Sequence, residues 1–305
     1  MTAARALTPT PTRYIPTVQA APDYELPAYA PPAYAPPVYA PPAPVPTRAR
    51  LRLGQLWVDV LTRGEAIDAL DALVARGEGG SVFTPNVDHV VMAERDAAFR
   101  DAYAQASLSL TDGVPLVWAS RLLRPAVPEK LSGSDMLLPM AQLAARRGWR
   151  VYVLGGGPGS AVEAARRLRE DHGVNVVGTD DARISSTPDH ALDAPVIARI
   201  RAARPDLLFV GLGAPKQELF IARSLPAMGP VVAVGVGASL DFLAGALRRS
   251  PAWMSRVGLE WAYRLAQEPR RLWRRYLIQD PKFVLVVLRT LCRPRGERVS
   301  RVPAR

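Results

Sequence analysis

The stretch RVYVLGGGPGSAVEAARRLREDHGVNVVG, residues 150–178, decides the fold. It opens on an apolar run, 150–154, that reads as a buried strand. Three glycines follow, then a helical stretch over 159–171 and a second strand over 174–178. Strand, tight turn, helix, strand is the unit from which parallel sheets are built.

The same alternation continues on both sides of this stretch. Toward the N-terminus, 51–61 reads as a short strand or hairpin, 64–76 as a helix and 81–84 as a strand. A two-piece helix follows over 87–106, a short strand over 108–110, and helices over 115–123 and 134–147. Pro115 sits in a first helical turn, where its missing N–H costs nothing. Toward the C-terminus, 191–203 and 217–225 read as helices, and 206–210 and 231–236 as strands. Strands of four to six apolar residues between helices of ten to fourteen predict an α/β fold. It is a Rossmann-like, mainly parallel sheet with helices on both faces and right-handed crossovers.

The two ends differ from this body. Residues 23–46 repeat an AYAPP-like unit, and proline this dense favours extended, unpacked chain. We read 1–48 as a disordered Pro/Tyr-rich tail, either a spacer or a ligand for a proline-recognition domain, and 49–247 as the sheet domain. No strand is predicted beyond 250: 248–292 reads as a basic helical appendage, with a short apolar helix over 284–291, and 293–305 as a basic disordered tail.

Charge follows the same division. The net charge is +11, and residues 248–305 carry 15 Lys/Arg against 4 Asp/Glu, so the preceding 247 residues are neutral. A basic C-terminal fifth points to an anionic membrane surface or nucleic acid. No RRM, KH or OB pattern is present, which disfavours nucleic acid. No segment approaches the roughly 18–20 apolar residues that span a bilayer. Nor does the N-terminus have a signal-type apolar core. One cysteine, Cys292, and three histidines offer too few ligands for a structural zinc site and exclude an internal disulfide framework, which fits a reducing compartment.

In an open parallel sheet, ligands bind beyond the carboxyl ends of the strands. The polar residues there are Thr84 and Asn86, Asp112 before Gly113, the Gly155–Gly156–Gly157 turn, Gly213 with Gln217, and Gly235. Glycine amides at a helix N-terminus can hold a diphosphate; equally, 155–157 is a tight turn needing small residues. Asp112 could accept a proton from an attacking sugar hydroxyl, or cap the helix at 115. Asn86 could bond a sugar, or cap the helix at 87. Glu218, in a first helical turn, reads as structural. The segment SPAWMSRVGLEWAYRLAQEPRRLWRRYL, residues 250–277, sets arginines beside tryptophans. That mixture suits diphosphate clamping, docking on anionic lipid, or a solvated helix face.

In this order, TPNVDHVVMA, LTDGVPLVWASRLL, EKLSGSDML, VYVLGGGPG, PDLLFVGLGAPKQELFI, VAVGVGASLDFLAGALRRSPAWM and GLEWAYRLAQEPRRLWRRYL resemble the WecG/TagA/CpsF family of glycosyltransferases (glycosyltransferase family 26). The resemblance covers about residues 51–288. It implies an inverting, metal-independent transferase that needs no cofactor. Such an enzyme moves N-acetylmannosamine, or a related hexose or uronic acid, from a UDP-sugar to an undecaprenyl-diphosphate-linked acceptor in cell-surface polysaccharide synthesis. It would act as a peripheral protein on the cytoplasmic membrane face, with homo-oligomer formation compatible. Carried over, Asp112 is the catalytic base, Thr84 and Asn86 contact the sugar or the acceptor, Gln217 lines the same pocket, and Arg264, Arg271 and Arg274 engage phosphates and close the site. Lys130, in EKLSGSD, stands where the family often has Arg; it keeps the charge and loses the bidentate fork. Ser250–Pro251 replaces the family's RAP. Two rival readings remain: an NAD(P)-dependent oxidoreductase resting on LGGGPG, and a non-catalytic nucleotide- or membrane-binding module resting on the basic tail.

Overall fold

The computed structural model describes residues 47–182, 184–185, 187–188 and 190–303. The proline-rich stretch over 23–46 lies outside the described residues. The chain opens with an antiparallel hairpin, β1 (Arg48–Leu53) and β2 (Leu56–Asp59). Helix α1 (Arg63–Arg76) starts on a capping box in which Thr62 and Glu65 satisfy each other's backbone amides, and stops at left-handed Gly77. Then come β3 (Gly80–Phe83), α2 (Val87–Ala93), α3 (Ala97–Ala104), β4 (Leu108–Ser109), α4 (Val114–Leu123) and α5 (Gly133–Arg147). The quoted βαβ unit is β5 (Arg150–Gly155), α6 (Ser160–His172) and β6 (Asn175–Asp180). It is followed by α7 (His190–Ala203), β7 (Leu207–Gly211), α8 (Lys216–Met228), β8 (Val232–Gly235) and α9 (Ser239–Ala244).

Six strands form one parallel sheet in the order β4-β3-β8-β7-β5-β6. Alternate residues of each strand point to opposite faces. Phe83, Tyr152, Leu154, Leu208, Val210 and Ala233 enter one core with α2, α3, α4, α7 and α8. Val82, Val151, Val153, Leu207, Phe209, Val232 and Val234 enter the other with α1, α5 and α6. Two covered faces explain why the strands read as unbroken apolar runs. The fold class is the Rossmann-like one read from the sequence.

Beyond 250 the chain forms α10 (Ala252–Arg256), α11 (Glu260–Gln267) and α12 (Pro269–Arg274). A π-helical turn (Arg275–Gln279) and a 3₁₀ turn (Asp280–Lys282) lead into α13 (Phe283–Leu291). The expected disordered tail over 293–305 is corrected here. Residues Arg295–Arg298 form a helical turn, α14, and Val299–Val302 a strand, β9, antiparallel to β1 from Leu51↔Val299 to Arg48↔Val302. Four residues carry too short an alternation to announce themselves. What orders them is the free edge of β1, whose backbone groups need partners. The resulting three-stranded sheet, β2-β1-β9, is pinned to the main sheet by fully buried Asp59. Its carboxylate accepts from Arg48 Nε and from Ser109 N, each at 2.7 Å.

Candidate active site

A cavity of about 420 Å³ opens beyond the carboxyl ends of β3, β4 and β8, under the appendage. Of the residues picked from the sequence, Thr84, Asn86, Asp112, Lys130, Gly213, Gln217, Arg264 and Arg271 line it. The backbone assembles its floor. Asp112 N donates to Pro85 O at 2.8 Å, so the ends of β3 and β4 are tied together, and Leu131 N donates to Thr111 O at 2.7 Å, which carries Lys130 alongside.

Asp112 is half-buried by surface exposure because it faces the cavity, yet its carboxyl lies deep in protein. Helix α4 starts at Gly113 without a side-chain cap, so the carboxylate is not spent on the helix. Burial pushes the Asp112 carboxyl up to about 7, and Glu260 adds to the rise. Lys130 and Arg264 oppose it, and Asp135 contributes a smaller increase. A carboxyl so placed exchanges a proton near neutrality. Lys130 Nζ is itself held by Asp135 Oδ2 at 2.9 Å and Glu260 Oε2 at 3.7 Å.

Of the two roles weighed for Asn86, the helix cap is formed. The residue is the N-cap of α2, accepting from His89 N at 3.3 Å, and its amide also faces the cavity. Thr84 Oγ1 donates to Gly235 O at 3.2 Å. Gln217 is fixed at both ends: Oε1 accepts from Gly237 N at 2.9 Å and Nε2 donates to Glu218 Oε1 at 3.0 Å. Gly235 therefore sits behind the wall, where any Cβ would collide with Gln217 Nε2. Its place is steric, and it does not line the cavity.

Three further expectations are corrected. Gly155, Gly156 and Gly157 do not reach the cavity. The Gly156 amide donates to Gly211 O at 2.7 Å and the Gly157 amide to Asp241 Oδ1 at 2.7 Å. Gly155, at φ +93°, would bring a Cβ within 2.8 Å of Gly211 O. The turn is shaped for strand packing, and Asp241 already occupies the place an anion would take. That removes the basis of the dinucleotide reading. Arg274 is the third correction: it is exposed and outside the lining, while its neighbour Arg275 lines the cavity.

Sequence reasoning also missed Glu260, Trp261, Tyr276 and His89 in the wall. The signal for Arg275 existed, since it stands four residues after Arg271 and so on the same helix face. His89 is buried, and desolvation, with a contribution from Arg275, pushes its imidazole down to about 3. Its Nδ1 pairs with Tyr103 Oη at 2.8 Å. Glu218, read as a first-turn acid, is fully buried, and desolvation lifts its carboxyl to about 7. Among the described residues, no group of three or more His, Cys, Asp or Glu side chains is placed to hold a metal ion. No helix among them is long and apolar enough to cross a membrane.

A doubly covered parallel sheet, with a buried carboxyl and a set of cationic side chains lining one cavity beyond the strand ends, has the form of an α/β group-transfer enzyme. Residues 51–297 match the model of the Glycosyl transferase WecG/TagA/CpsF family, and the chain belongs to that family. It is a glycosyltransferase. It is 30% identical over 215 residues to the N-acetylglucosaminyldiphosphoundecaprenol N-acetyl-beta-D-mannosaminyltransferase of Bacillus spizizenii, covering 70% of this chain and 80% of that one. With the enzyme of the same name from Bacillus subtilis it shares 30% over 212 residues, 69% of this chain and 80% of that one.

Proposed function

We propose that the chain is an inverting transferase. It moves N-acetylmannosamine, or a closely related sugar, from a UDP-sugar to a sugar carried on undecaprenyl diphosphate, at the cytoplasmic face of the membrane. The observation that carries the reading is Asp112: a carboxyl lifted to about 7, at the floor of a cavity rimmed by Lys130, Arg264, Arg271 and Arg275. The ionised carboxylate takes the proton of the acceptor hydroxyl as that oxygen attacks the anomeric carbon. The bond to the donor diphosphate breaks on the opposite face, which inverts the configuration. The cationic rim stabilises the negative charge that builds on the leaving diphosphate. Those side chains take the part a divalent cation plays in other transferases, so the proposed reaction is metal-independent. Thr84, Asn86 and Gln217 orient the sugar.

The test is turnover of Asp112→Asn with a synthetic polyprenyl-diphosphate-sugar acceptor and a panel of UDP-sugars, with and without EDTA. The amide keeps the shape and loses the base. Transfer should fall by roughly 10²–10⁴-fold, the usual contribution of a general base, while UDP-sugar binding by calorimetry persists. EDTA should leave the wild-type rate unchanged. Near-normal turnover in the variant would sink the assignment.

A further inference from the structure

Besides the Lys130–Glu260 pair, Arg275 and Asp88 join the appendage to the body beside the cavity. Chain geometry sets up the Arg275 contact: α12 ends at Arg274, and the next five residues widen into the π-helical turn, closed by Asp280 N donating to Arg275 O. A wide turn redirects the side chains that follow it. Arg275, at its start, points into the rim. Its Nη2 donates to Asn86 Oδ1 at 3.3 Å, and its Nε stands 3.2 Å from Asp88 Oδ2 on the first turn of α2. That Nε is buried and finds no acceptor in hydrogen-bond geometry, so the pair is an ionic contact with donor capacity left over. The Arg275 side chain is 27% exposed and that of Asp88 10%. Asp280, the next acid along the appendage, lies close enough for Arg275 to act on its carboxyl; burial is the larger influence and raises it to about 7.

We infer that Asp88 is a positioning residue for the transfer: it holds the Arg275 guanidinium at the cavity mouth, aimed at the donor diphosphate. The inference rests on reading the cavity as a UDP-sugar site. Arg275 stands on an appendage segment that contains no buried residue between Arg275 and Lys282, so packing alone does not hold it in register. An anchor on α2, whose N-cap Asn86 is itself a wall residue, ties the cation to the part of the site that contacts the sugar. The pair thus couples a long side chain of the appendage to helix α2 of the body. A fork pre-aimed in this way loses less freedom when it bonds a diphosphate than one that must be ordered on binding.

The experiment is UDP binding by calorimetry on the full chain, for wild type, Asp88→Asn, Arg275→Gln, Arg275→Lys, the Asp88→Asn/Arg275→Gln double variant, and Arg270→Gln. Arg270 is an exposed arginine of α12 outside the lining, so its variant measures the effect of one lost positive charge alone. Arg275→Gln should raise the Kd about tenfold or more, as loss of a charge-assisted bond does, and Arg275→Lys should recover part of it. Asp88→Asn should raise the Kd several-fold with the melting temperature close to wild type. The double variant should be no weaker than Arg275→Gln, because the two side chains act through one guanidinium. Wild-type affinity in Asp88→Asn, or losses in the double variant equal to the product of the singles, overturns the inference while leaving the site reading intact. A wild-type chain that does not bind UDP overturns the site reading, and this inference with it.

Discussion

Asp112 gathers opposing influences on one carboxyl: burial, Glu260 and Asp135 raise it, while Lys130 and Arg264 pull it down. The balance makes a directional prediction. A base must be ionised, so kcat/KM should fall as pH drops through about 7 in the wild type. Glu260→Gln removes a charge that disfavours the Asp112 carboxylate, and should move this acid limb to lower pH. Lys130→Gln removes one that favours it, and should move the limb to higher pH. Limbs that move together, or not at all, would mean that another group limits the rate. At the same scale Gly235 was legible only as a glycine after a strand. Its reason, the Gln217 amide pressed against its α-carbon, comes from β8 and α8 lying side by side. The choice of Arg274 over Arg275 failed for a related cause: sequence order ranks neighbours equally, and a helix sends them about 100° apart.

Helix α13 shows what an element adds. It was readable as a short apolar helix over 284–291, but a mostly apolar run does not say which face packs. Phe283 and Val286 face the body core, while Val284, Leu285 and Leu288 stay exposed. Thr290 Oγ1 accepts from Gly54 N at 3.1 Å, fastening the helix to the β1–β2 turn. The appendage is thus part of the fold. Cutting the chain at 250 would strip core and cavity wall along with the basic surface, so point substitutions are the cleaner probe. Phe283→Ala should cost about 3 kcal/mol in denaturant unfolding, as for other buried aromatics. A loss under about 0.5 kcal/mol would place this helix outside the cooperative unit. Strand β9 was missed because its order depends on β1, more than two hundred residues away.

For the whole molecule, the neutral body and the +11 C-terminal fifth meet the exposed apolar side chains of the appendage, Trp253, Trp273, Leu277, Leu285 and Leu288 among them. Apolar groups beside cations suit an anionic bilayer surface. We predict that the chain sediments with vesicles containing anionic lipid, and that raising the salt releases it, since the electrostatic part is screened over about 10 Å at 0.1 M. Leu285→Ser/Leu288→Ser should weaken vesicle binding several-fold without lowering the melting temperature, because both side chains already face water. Unchanged sedimentation of that variant would move the docking surface elsewhere.

Local chemistry alone determined the layered α/β architecture, because a sheet covered on both faces writes itself as short apolar runs between longer helices. It also determined that ligands belong beyond the strand ends, and so brought Thr84, Asn86, Asp112 and Gln217 into view. Tertiary structure decided which of the polar turns open into a cavity. The Gly156 and Gly157 amides are taken by Gly211 and Asp241, and the cavity forms instead where β3, β4 and β8 end under the appendage. The physical reason is that a backbone amide has one hydrogen to give, so it is available to a ligand only if no protein acceptor takes it first, and those acceptors come from distant parts of the chain.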